Sequence, residues 1–66
     1  MKIRVHVITT IQHHISDYTE ASINEIEQTK TMFRSPKLEY LSLIENKVEI
    51  FIRPSQIESC WIEEVN

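Results

Sequence analysis

Residues 38–65, LEYLSLIENKVEIFIRPSQIESCWIEEV, hold more than half of the chain's large apolar residues and constrain the fold more than any other stretch. They read as a hairpin, Leu38–Ile44 and Val48–Arg53, followed by a third segment after Pro54. The chain has no glycine. A tight turn that needs positive φ must therefore use another residue, and in Glu45-Asn46-Lys47 the side chain best suited is Asn46. With Asn46-Lys47 as the turn, Glu45 pairs with Val48, Leu43 with Ile50 and Leu41 with Ile52.

Cross-strand partners point the same way, so this register sorts the hairpin into two faces. One face carries Leu41, Leu43, Val48, Ile50 and Ile52 and is almost wholly aliphatic. It is expected to lie under a helix and meet Ile23, Ile26 and Phe33. The other carries Leu38, Tyr40, Ile44 and Phe51, mixed with Ser42, Glu49 and Arg53. One helix covers one side of a sheet. The second face must be closed by the Trp61 segment or by another chain, and the candidate interface is Leu38, Tyr40, Ile44, Phe51 and Trp61. An aromatic and aliphatic centre with charges at its edge is the composition of an interface core.

The rest of the chain supplies strands and one helix. Ile3, Val5 and Val7 alternate with Lys2, Arg4 and His6, which makes residues 2–9 a strand, at an edge or one-sided, with its charged side toward water. Residues 10–19 mix helical and strand signals; a turn near Ile11–His13 and a short strand about His14–Tyr18 fit best. Ile23, Ile26, Lys30 and Phe33 form one stripe, so residues 20–34 are a helix. Ser22 and Glu25 have capping-box spacing, Glu27 and Lys30 form an i,i+3 pair, and Pro36 stops the helix. Residues 55–65 satisfy both a helical and a strand pattern. The strand is favoured because a third strand stabilises a hairpin that is marginal alone. The expected class is α+β, a small antiparallel sheet with one helix in the order β-β-α-β-β-β, filling residues 1–66 as one small domain.

This layout, with the run IFIRPSQIESCWIEEV, resembles small uncharacterised phage and prophage proteins of Gram-positive bacteria. Many of these end in a strand, a Pro and a second strand closing on an acidic pair. The resemblance covers the general layout and about sixteen residues and includes no catalytic motif. It implies an accessory role directed at a host protein.

Composition narrows the chemistry. Without glycine, phosphate-cradling loops and nucleotide fingerprints are all but excluded. The net charge of −3 argues against nucleic acid, where a basic face supplies affinity. Lys2 and Arg4, on one strand face with His6, are the best candidates for such a role. His6, His13 and His14, with the lone Cys60, make an incomplete zinc set, and adjacent His13 and His14 point to opposite sides of a strand. Ser16, Asp17 and a neighbouring His supply triad residue types without triad geometry; Ser16-Asp17 suits a turn or cap. Cys60 lies near Glu58, Glu63 and Glu64, which would raise its pKa and leave it inert. These three, with Glu45 and Glu49, could form an acidic patch, although a solvated face is the plainer reading.

One cysteine forms no internal disulfide, and the N-terminal residues form no apolar leader or membrane span; both fit a cytoplasmic protein. So small a core favours association. The expectation is a non-catalytic binding module without cofactor or metal. It forms a homo-oligomer, binds a host protein and contacts no membrane. The alternative is a nucleic-acid-binding accessory protein using the Lys2/Arg4 face.

Overall fold

The computed structural model describes residues 1–65. Among them the elements are β1 (Lys2–Thr9), β2 (His13–Ile15), β3 (Thr19–Glu20), α1 (Ile23–Phe33), β4 (Leu41–Glu45), β5 (Val48–Ile52), a 3-10 turn (Pro54–Gln56) and β6 (Ile57–Val65). The α+β class holds, with one helix and antiparallel sheets. The order differs from β-β-α-β-β-β by the extra two-residue strand β3 before the helix, and the strands form two sheets instead of one.

In the larger sheet β1 is central, with β2 and β3 on one side and β6 on the other. Strands flank β1 on both sides, so it is not at an edge, and its one-sided pattern separates a core side from an outer side. β2 and β3 are one interrupted strand. His6 faces Ile15 while Ile3 faces Thr19, so residues 16–18 oppose only Arg4 and Val5. This one-residue bulge explains the mixed signals of residues 10–19. Ser16 fills it: its N–H donates to Val5 O at 2.8 Å, and its Oγ accepts the Val5 N–H at 2.7 Å.

The hairpin has the register read from the sequence, Glu45 with Val48, Leu43 with Ile50 and Leu41 with Ile52. Its turn residues Asn46 and Lys47 both have positive φ, 53° and 65°. Such a turn matches the twist of the strands but strains a non-glycine residue. Asp17 offsets that strain from outside. Its carboxylate accepts the Asn46 N–H at 2.9 Å and the Lys47 N–H at 2.8 Å, and its own N–H donates to Ile44 O at 2.7 Å. The bulge in one sheet thus holds the turn of the other.

β6 is a strand, as favoured, but it pairs with β1 and leaves the hairpin two-stranded. A register shift between Ile8 and Thr9 brings Ile57 against the core with Cys60, although the two have opposite parity along the strand. The core is Val7, Leu41, Leu43 and Ile52, with Val5, Phe33, Leu38, Ile50, Ile57 and Cys60 packed against it. The aliphatic side of the hairpin therefore lies mainly on β1 and β6. From the helix, Phe33 joins this cluster and Ile26 is buried, but Ile23 is 67% exposed and Val48 lies outside the core. The capping box is formed, Ser22 Oγ accepting from Glu25 N–H and Glu25 Oε1 from Ser22 N–H. Among the described residues no helix is long and apolar enough to cross a membrane.

Candidate interaction surface

The molecule presents two outer sheet faces of different character. On the larger sheet, alternation turns Lys2, Arg4 and His6 of β1 outward, beside Trp61 and Glu63 of β6. Arg4 is paired with Glu63 in register, and its Nε and Nη2 donate to the carboxylate at 2.9 and 3.3 Å. The same carboxylate receives His6 Nε2 at 2.6 Å. A carboxylate only accepts, so Nε2 of His6 carries the proton. In the neutral ring Nδ1 then accepts from His13 Nε2–H at 3.0 Å. Trp61, the partner of His6 across the ladder, stacks on it at 4.7 Å and 6°. Arg4 and Lys2 lie over the Tyr18 ring at 4.9 and 5.6 Å.

The charged side of β1 is thus less open than expected: His6 is buried, at 7% exposure, beneath its own neighbours. Arg4 first, then His6, hold the Glu63 carboxyl below the usual carboxylate range. His6 and His13 meet, while His14 lies on the opposite side of the sheet and contacts Glu45 through Nδ1 at 3.0 Å. That contact first, with the Ile15 N–H, holds Glu45 low as well. Among the described residues no group of three or more His, Cys, Asp or Glu side chains is arranged to hold a metal ion. The acidic residues do not form one patch, since Glu63 and Glu45 are engaged at separate places. Cys60 is raised by burial, a cause distinct from the acidic neighbours expected to do so.

The hairpin's outer face is not answered in this way. Phe51 is 62% exposed, Ile44 52% and Tyr40 51%. Ile44 and Phe51 lie diagonally across the ladder, opposite Glu49 and Ser42. Tyr40, just before β4, continues the parity of Ile44. Two residues expected with them lie elsewhere. Leu38 packs against the core, because the turn with Leu38 N–H on Ser35 O precedes the strand and breaks the alternation. Trp61 belongs to the larger sheet, 42% exposed over His6, and does not close the hairpin face. It lines an open depression of about 370 Å³ with Lys30, Phe33, Arg34, Cys60 and Ile62.

The sequence missed the mutual engagement of His6, His13 and Glu63. The signal available was the like parity of Arg4 and His6, which needed a partner strand to be interpreted. Comparison with protein-family models, with curated proteins and with solved structures finds no match to this chain.

Proposed function

We propose that this chain is a small non-catalytic interaction module that self-associates and binds a host protein through the outer face of its hairpin. The observation that carries the reading is the exposure of Phe51, Ile44 and Tyr40 together on one face, with no element of the described chain over them. A rigid aliphatic and aromatic patch edged by Glu49 and Arg53 suits protein contact, where buried aromatic anchors supply most of the affinity. Apolar area left in water by a small domain is also stability that association recovers. The host-directed, phage-type accessory role rests on the resemblance of IFIRPSQIESCWIEEV, and the cytoplasmic setting on the lone Cys60.

The alternative of nucleic-acid binding through Lys2 and Arg4 is disfavoured by the commitment of the Arg4 guanidinium to Glu63. A guanidinium already neutralised offers a phosphate little. The test is co-purification of the tagged chain from host lysate, wild type beside Phe51→Glu. A stoichiometric protein partner held by wild type and lost by Phe51→Glu supports the proposal. Recovered nucleic acid, released by salt and by Lys2→Glu with Arg4→Glu, overturns it.

A further inference from the structure

The hairpin has a free edge as well as a free face, and the edge is specific about what fits it. Glu45 and Val48 flank a two-residue turn, so they exchange both backbone hydrogen bonds, and so do Leu43 with Ile50 and Leu41 with Ile52. Val48, Ile50 and Ile52 therefore direct their N–H and C=O groups toward β4. Those of Glu49 and Phe51 point the other way, as does the Arg53 N–H, while the Arg53 C=O accepts the Gln56 N–H at 2.9 Å. Among the described residues no strand pairs with that edge of β5. A free edge of this kind is a template for another strand.

We infer that β5 of one copy pairs antiparallel with β5 of a second copy about a two-fold axis at Phe51. This deepens the self-association proposed above and rests on it. In this register Phe51 faces its own copy, and Glu49 of each chain faces Arg53 of the other. The register places odd-numbered residues opposite odd-numbered residues, so the Phe51 groups match their copies and each Arg53 N–H meets a Glu49 C=O; each Glu49 N–H shares the Arg53 C=O with the Gln56 N–H. Pro54, which has no N–H, falls at an even position opposite Val48, where its missing donor faces inward and costs the new ladder nothing. The side chains agree with the backbone. Glu49 and Arg53 are exposed and, among the described residues, have no ion-pair partner within the chain. Pairing about Phe51 supplies one to each.

Neighbouring arrangements are poorer. Pairing about Ile50 sets Lys47 against Arg53 twice, and like charges directly opposite are destabilising. The edge of β6 is longer, but the register that pairs it with itself over its whole length sets Glu58 against Glu64 twice. The two-fold at Phe51 also keeps Ile44, Phe51 and their copies on one side of a continuous four-stranded sheet. The patch that one hairpin presents is doubled in the dimer.

The test is charge reversal with rescue. Glu49→Arg, Arg53→Glu and the double variant would be compared with wild type by sedimentation equilibrium, with circular dichroism reporting the fold. Wild type is expected at twice its 7.9 kDa chain mass at high concentration. Each single reversal should raise the dissociation constant by about tenfold to hundredfold, and the double variant should return it toward wild type. A wild-type dimer indifferent to the single reversals, or a double variant as weak as the singles, overturns this register while leaving self-association standing. A wild type that remains a 7.9 kDa monomer at millimolar concentration overturns both.

Discussion

The two outer faces of this molecule solve the same problem differently. Each belongs to a sheet whose inner side is buried and whose outer side has no layer over it. On the larger sheet, the outward groups at the centre are met by neighbours in the same sheet: Arg4 and His6 by Glu63, the second His6 nitrogen by His13, and the His6 ring by Trp61. On the hairpin, Ile44 and Phe51 face Glu49 and Ser42 across the ladder and are left more than half exposed. The difference is one of strand number. β1 has neighbours on both sides and can recruit cross-strand partners from each. β5 has one neighbour, so half of its possible partners are missing. A surface that closes on itself keeps a chain folded alone, and one that does not is where another chain gains most by binding.

Mutation can break this contrast at its deepest point. Leu41→Ala should cost about 2–5 kcal/mol, as expected for a nearly fully buried leucine. Phe51→Ala, on the open face, should change monomer stability by less than about 0.5 kcal/mol. Urea denaturation of both variants at low protein concentration checks the pair. Similar losses would mean that the hairpin face is internal after all.

Next in size is the link between the two sheets. Asp17→Ala removes the acceptor for the Asn46 and Lys47 N–H groups and should destabilise by about 1–3 kcal/mol. Hydrogen exchange should show the loss concentrated at the hairpin turn, with β1 and β6 more protected. Uniform loss would contradict a local clasp. The same turn predicts a smaller gain: Lys47→Gly removes about 1–2 kcal/mol of positive-φ strain against roughly 0.5–1 kcal/mol for the greater freedom of glycine in the unfolded chain, and the net is read as a slightly higher thermal midpoint.

These predictions turn on how much was legible in the chain. The hairpin register was, because alternating apolar residues and a glycine-free turn leave few arrangements, and Asn46 marks the place. The partner of that turn was not. Asp17 reaches it through a bulge that no Gly or Pro announces, and a one-residue bulge erases the period-two signal that would reveal it. The strand nature of residues 57–65 was legible, but its position was not. Pattern gives the face a residue occupies and is silent on which strand lies beside it, so nothing in residues 57–65 tells a hairpin neighbour from the β1 partner that β6 is. For the candidate surface, the parity of Tyr40, Ile44 and Phe51 survived intact. Leu38 does not share that face, because strand alternation begins only at β4 and the turn before it points Leu38 to the core. Nor does Trp61, because its segment joined the other sheet.

A weaker effect is expected from pH, at two carboxylates that both lie away from the open hairpin face. Arg4 and His6 hold Glu63 low, and His14 with the Ile15 N–H holds Glu45 low. As pH falls through the ordinary glutamate range, the unfolded chain takes up these protons first. The stability the two carboxylates contribute is present above that range and lost as pH drops through their lower folded values. Thermal midpoints should fall from about pH 5 downward, and Glu63→Gln combined with Glu45→Gln should flatten the decline. A double variant as acid-sensitive as wild type would assign the loss to other groups.

The central claim is that the hairpin, open at the β5 edge and on the face that carries Phe51, is completed by another chain. Light scattering of wild type and Phe51→Glu across a concentration series, with circular dichroism on the same samples, tests it most directly. The account predicts a wild-type mass that rises above 7.9 kDa with concentration, and a Phe51→Glu chain that stays at 7.9 kDa with its secondary structure intact. A wild type that stays at 7.9 kDa throughout, or a Phe51→Glu chain that unfolds, would contradict it.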